Sequence, residues 1–111
     1  MNLTHYIQDN VCIVGLAGEL ILGQAYQLIP QIRSLLADVQ PKALVVNMHA
    51  VTKFDSAGIA SIVTFYKDAK EQQVEFAVCQ LSEESNASLR AVLLDEIPIY
   101  DTEQDALNSL A

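Results

Sequence analysis

Two short, nearly unbroken apolar runs, at residues 43–48 and 74–79, flank a segment at 56–71 in which Ile59, Ile62, Val63, Tyr66 and Ala69 recur at three- and four-residue spacing. Apolar runs of strand length are expected of strands covered on both faces, and the intervening period is that of an amphipathic helix. Strand, helix, strand in that order is a right-handed crossover unit, which requires a parallel sheet. This one feature excludes all-helical and all-antiparallel architectures.

The flanking sequence extends the unit in both directions. Residues 3–8 and 11–17 are β-branched segments separated by Asp9-Asn10, a turn signal, and read as a hairpin. Residues 25–39 place Ala25, Leu28, Ile29, Ile32, Leu35, Leu36 and Val39 on one helical face. Pro30 interrupts that face, so the regular helix either begins near Pro30 or is kinked there. Residues 83–94 read as helix, 97–100 as a short extended piece, and 103–110 as a last helix capped by Asp101 or Thr102. The predicted fold class is therefore α/β: a mixed, mostly parallel sheet of about four or five strands packed with about four helices, the first strand antiparallel to the rest. No low-complexity stretch, charge block or repeat marks a linker, and residues 1–111 are read as one domain.

Charge narrows the function. Fourteen acidic residues against six basic ones give a formal net charge of −8. That balance disfavours unaided binding to nucleic acid or an anionic membrane, both of which need a basic footprint, and favours a protein partner with a basic face. No apolar run reaches the about 20 residues that span a bilayer. The absence of a basic segment followed by an apolar one in residues 1–9 predicts a cytoplasmic location. Cys12 and Cys79 lie within apolar runs without metal-ligand spacing and are expected to be buried, reduced thiols. His5 and His49 lack a nearby ligand pattern and are expected to be ordinary strand or loop residues. No metal or cofactor is predicted.

The segment Phe54-Asp55-Ser56-Ala57-Gly58 sets a serine at the junction of a strand end and a helix start. Asp55 or Ser56 is suited to cap the helix, and Gly58 permits close approach of backbone or partner. The same geometry would tolerate a phosphate on Ser56, because free N–H groups and the positive end of the helix dipole favour an anion. Ala57, Ser61, Thr64 and Asp68 fall opposite the apolar stripe and predict a flat, exposed docking face beside the serine. An enzyme would need a base beside Ser56, and the sequence places no histidine there. Neither GxxxxGK[ST] nor GxGxxG is present. A two-component receiver fits poorly, since Asp55 precedes a serine at a helix start.

The run Val46-Asn47-Met48-His49-Ala50-Val51-Thr52-Lys53-Phe54-Asp55-Ser56-Ala57-Gly58-Ile59 resembles the signature of STAS anti-sigma-factor antagonists. Leu16-Ala17-Gly18-Glu19-Leu20 is similar to that family's turn after its second strand. Tyr66-Lys67-Asp68-Ala69-Lys70 resembles the end of its second helix, and the run from Tyr100 to Leu107 its C-terminal ending. The resemblance implies a non-enzymatic switch. The unphosphorylated protein would bind a serine kinase that is also an anti-sigma factor; that kinase would phosphorylate Ser56 and so release it, and a serine phosphatase would reverse the step.

It also implies that the loop holding Ile21 and Gly23 touches the kinase. Ile21 stands where the family often has aspartate, and Ala57 stands where a second hydroxyl is frequent, leaving Ser56 as the acceptor in the motif. A glycine usual before the last strand is missing around residues 94–96. Two other outcomes fit the same resemblance: a switch acting on a non-sigma effector, as in biofilm or secretion control, and a constitutive, unphosphorylated STAS subunit of a membrane transport complex.

Overall fold

The computed structural model describes residues 1–83, 87, 89–91 and 96–110. Five strands form one sheet in the order β1 (Asn2–Gln8), β2 (Val11–Leu20), β3 (Ala43–Phe54), β4 (Glu75–Cys79) and β5 (Ile99–Tyr100). β1 is antiparallel to β2, and every other pair is parallel. The hairpin turns at Asp9 and Asn10, with φ of 52° and 64°, the pair of positive angles that matches a two-residue turn to the twist of its strands.

Helices α1 (Leu22–Val39) and α2 (Ser56–Glu71) cover one face of the sheet, and α3 (Glu103–Leu110) covers the other. Glu83, Ala87 and residues 89–91 are also helical; the rest of the helix expected at 83–94 lies outside the described residues, as do residues 94 and 95 of the stretch 94–96 in which the usual glycine is missing. The larger core joins Leu28, Ile32 and Leu36 of α1 and Ile62 and Phe65 of α2 to Val14, Leu44, Val46 and Val78 of the sheet. The smaller one seats Ala106 on Val11, Ile13, Val45, Ala77 and Cys79. Alternation along each strand sends its side chains to opposite faces, so both layers draw on the same strands.

α1 runs through Pro30 without interruption in its assignment. The proline is exposed, and the carbonyl that loses its N–H partner belongs to the exposed Tyr26, where water is accessible. The cost of an interior proline, about 3 kcal/mol, is offset by the buried Ala25, Leu28, Ile32 and Leu36, each large side chain contributing about 1.5–3 kcal/mol.

Two strands outrun their expected ends. β3 continues to Phe54, and its second half pairs with β2 alone, Ala50 opposite Ala17 and Phe54 opposite Leu20, whereas β4 reaches only to Asn47. His49, Ala50, Thr52 and Lys53 are exposed there, which breaks the apolar run without breaking the strand. Gly18-Glu19-Leu20 is accordingly strand with register shifts, not a turn.

Candidate functional site

β2, β3 and β4 run parallel, so their C-terminal ends meet at one side of the sheet, and the connections that leave them define a groove of about 940 Å³. Ile21, Phe54, Asp55, Ser56, Ile59 and Gln80 are among the residues that line it. The serine motif thus lies where three connections converge.

Asp55 is the N-cap of α2, in extended conformation, and its Oδ1 accepts the Gly58 N–H at 2.9 Å. Its Oδ2 accepts the Leu22 N–H at 3.3 Å. Ile21, the N-cap of α1, makes no side-chain capping bond, so the carboxylate of Asp55 serves the starts of both helices. Two sets of free N–H groups, each at the positive end of a helix dipole, face the same acidic group.

Ser56 is the first residue of α2 and is exposed. Among the described residues its Oγ makes no hydrogen bond. The two cap candidates are thereby separated: Asp55 holds the helix and Ser56 stays free. Gly58 is buried, and a Cβ built on it would lie 2.3 Å from the Leu20 carbonyl oxygen and 3.3 Å from Leu20 Cγ and Phe54 Cδ2. The close approach that the glycine permits is to the chain's own β2, and it fixes the height at which α2 begins.

The docking face expected on α2 is corrected. Ser61 is fully buried, Ala57 is 7% exposed, and Asp68 bonds Arg33 of α1 at 2.8 Å. Thr64 is half-buried and donates to the Ala60 carbonyl at 3.0 Å. This stripe is the seam between α2 and α1, not an open surface. Ser61 escapes the usual cost of a buried hydroxyl by donating to the Gly58 carbonyl at 2.7 Å. The core stripe is rotated to match: Ile62, Phe65 and Ala69 are buried, while Ile59, Val63 and Tyr66 are only partly so.

Exposed apolar surface lies instead at the start of α1. Leu22 is 67% and Tyr26 50% exposed, beside Ile21 in the groove and the exposed Gly23. The sequence reading named Ile21 and Gly23 and missed Leu22 and Tyr26. A helix beginning at Leu22 puts both outside the buried set Ala25, Leu28 and Ile32, a signal that the apolar pattern beginning at residue 25 does not carry.

His49 lines the same groove as Ser56, a placement not predicted, but its backbone N–H bonds Asn47 Oδ1 at 2.8 Å and no bond joins it to Ser56 among the described residues. Asn47 Nδ2 donates to Gln80 Oε1 at 2.7 Å and Glu103 Oε1 at 3.1 Å, and the Tyr6 hydroxyl donates to Glu103 Oε2 at 2.5 Å. That bond, then burial and the charge of Glu103, push the Tyr6 hydroxyl up to about 12. Cys12 and Cys79 are buried free thiols in the two different cores, on opposite faces of the sheet. Burial raises both, and with the Glu103 charge it takes Cys79 to about 12. Among the described residues no cluster of acidic, histidine or cysteine side chains is suited to a metal, and no helix is long and apolar enough to cross a membrane.

Comparison with known proteins agrees with this geometry. The family model of the STAS domain matches residues 2–106. The structure is similar to that of an anti-sigma factor antagonist from Mycobacterium paratuberculosis, at 27% identity and a TM-score of 0.85, over 97% of this chain and 92% of that one. It is also similar to an anti-sigma-factor antagonist (STAS) domain protein from Planctomyces limnophilus, at 24% identity and 0.83, over 98% and 97%. The Bacillus cell fate determinant SpoIIAA, solved in its phosphorylated form, shares the fold at 14% identity and 0.77, over 99% and 100%. A mixed five-stranded sheet, an exposed serine at the start of an α2 capped by Asp55, and a family match over nearly every residue lead to one conclusion: this chain belongs to the STAS domain family.

Proposed function

We propose that the protein is a phosphorylation-switched binding module of the anti-sigma-factor-antagonist type, with Ser56 as the phosphate acceptor. The observation that carries this reading is the division of labour between neighbours: Asp55 caps the helix, which leaves the exposed Ser56 hydroxyl free for chemistry. A phosphate there adds about −1.5 to −2 charges next to the Asp55 carboxylate. Free N–H groups at the helix start compensate part of that charge, so the fold survives while the surface becomes more negative.

The partner is a serine kinase that doubles as an anti-sigma factor, and a serine phosphatase resets the switch. Docking uses Ile21, Leu22, Gly23 and Tyr26, an apolar edge adjoining Ser56, in place of the buried α2 stripe. An apolar contact excludes water, so a phosphate introduced at its rim is desolvated and repelled, and the complex dissociates. The protein acts by binding and not by catalysis, in the cytoplasm, without nucleic acid or membrane insertion. Its final effector is a sigma factor or another regulated protein of the same switching logic.

Intact-mass measurement of protein recovered from its own cells, wild type beside Ser56→Ala, tests the reading. One phosphate present in wild type and missing in the variant supports it. Lack of phosphate under all growth conditions would replace it with the constitutive assembly subunit.

A further inference from the structure

We propose that the edge of β1 left unpaired among the described residues is a homodimer interface, in which two copies pair their first strands antiparallel about a two-fold axis at His5. The sheet has two edges, and they differ. β5 is two residues long, too short to recruit a partner, while β1 offers seven. Natural edges are blunted by proline, charge or bulges. β1 has none of these: its sequence is Asn-Leu-Thr-His-Tyr-Ile-Gln, and its register against β2 runs unbroken from Asn2–Ala17 to Gln8–Val11.

The turn determines which backbone groups are free. A two-residue hairpin turn closes on the pair that precedes and follows it, so Gln8 and Val11 exchange hydrogen bonds, and the antiparallel pattern then alternates. Tyr6–Ile13, Thr4–Gly15 and Asn2–Ala17 are therefore bonded pairs as well. Leu3, His5 and Ile7 direct their N–H and C=O groups away from β2, at the open edge.

These residues are self-complementary. With His5 opposite His5 of a second copy, Leu3 meets Ile7 of that copy and Ile7 meets its Leu3, all three as bonded pairs. Thr4 then lies opposite Tyr6, and Asn2 opposite Gln8. Leu3 and His5 face α1 and border a shallow groove of about 450 Å³ with Pro30 and Leu35. Ile7, 53% exposed in the single chain, is delivered by the second copy beside Leu3 at the mouth of that groove. In a molecule of net charge −8 the strand carries no Asp, Glu, Lys or Arg, so a second copy can pair along it without setting carboxylates opposite one another on the strand; the acidic residue lining the adjoining groove, Asp38, belongs to α1.

Sedimentation equilibrium of the full chain over a concentration series, with two edge variants, tests this. Ile7→Lys places a charge on each copy at the seam. His5→Pro deletes an outward N–H and no bond to β2, so the fold is retained, as unfolding in urea will verify. Each variant is expected to weaken the dimer by about tenfold or more. His5→Cys should let a short thiol-to-thiol crosslinker join two copies, because bonded antiparallel positions lie about 5.5 Å apart at Cα. A wild-type chain that stays monomeric throughout the series, or a dimer that neither edge variant weakens, would overturn the proposal.

Discussion

Gly58 lies so close to Leu20 that a single methyl group on it would stand 2.3 Å from the Leu20 carbonyl oxygen. In a helix, glycine to alanine usually gains about 1 kcal/mol from propensity. Here the obstacle is backbone at the end of β2 and cannot swing aside. Overpacking of this kind costs about 1–3 kcal/mol or more, so Gly58→Ala is expected to destabilise the protein on balance. The midpoint of urea unfolding decides between the two effects, and an unchanged or raised midpoint would show that the helix start can shift.

Asp55 bonds the N–H groups of Gly58 and Leu22 and so ties two helices together. Asp55→Ala is expected to cost about 1–2 kcal/mol, while Asp55→Asn, which keeps an acceptor, should lose less. Thermal unfolding of the pair separates the hydrogen bonds from the charge.

Ser56 contributes no bond to the cap. Ser56→Ala should leave stability within about 0.5 kcal/mol of wild type and hold the module in its partner-binding state; Ser56→Asp should bind the kinase more weakly than Ser56→Ala. The check is titration calorimetry against the kinase recovered by pull-down with the alanine variant. Equal affinity of both variants would remove Ser56 from the switch.

Tyr26→Ala is expected to weaken the same complex with little change in stability, because the ring is half exposed and lies outside the buried side of α1. Ser61→Ala should do the reverse: it leaves partner affinity unchanged and costs about 0.5–1.5 kcal/mol, the usual net contribution of a hydrogen bond. Binding and unfolding measured on both variants place the docking surface.

Alkaline pH should unfold the protein early. Cys79 is raised from 9.0 to about 12 and Tyr6 from 10.0 to about 12 in the folded state. Each is an acid that the fold keeps neutral. Above pH 9 for the thiol, and above pH 10 for the phenol, the unfolded chain binds fewer protons than the native one, so stability falls as pH rises. The contribution is intact below pH 9 and drains away toward pH 12. Urea midpoints across this range, with Tyr6→Phe to remove the phenol, provide the measurement.

Much of this architecture is legible in the residues. The bounds of α2 at Ser56 and Glu71 follow from its period and from the motif that starts it, and the crossover from the apolar runs beside it. Its orientation is harder to read, because a helix wedged between a sheet and a second helix buries a wide arc. Ser61 satisfies its own hydroxyl within the helix, so a polar letter stands at a fully buried position. Pro30 hides the first two turns of α1, and with them Leu22 and Tyr26. The shared cap was beyond reach, since it joins residues 33 apart through a carboxylate whose second oxygen has no sequence signature.

α3 covers a face of the sheet that no other described helix covers, seating Ala106 over Val11, Ile13, Val45, Ala77 and Cys79. During synthesis those side chains stay open to water until residues 103–110 have left the ribosome. The earlier helices can dock on their own side before that point, yet the sheet remains one-sided and sticky. Folding of this domain therefore completes only once α3 has docked, and a chain truncated before residue 103 would be a substrate for chaperones, not a slightly weakened version of the domain.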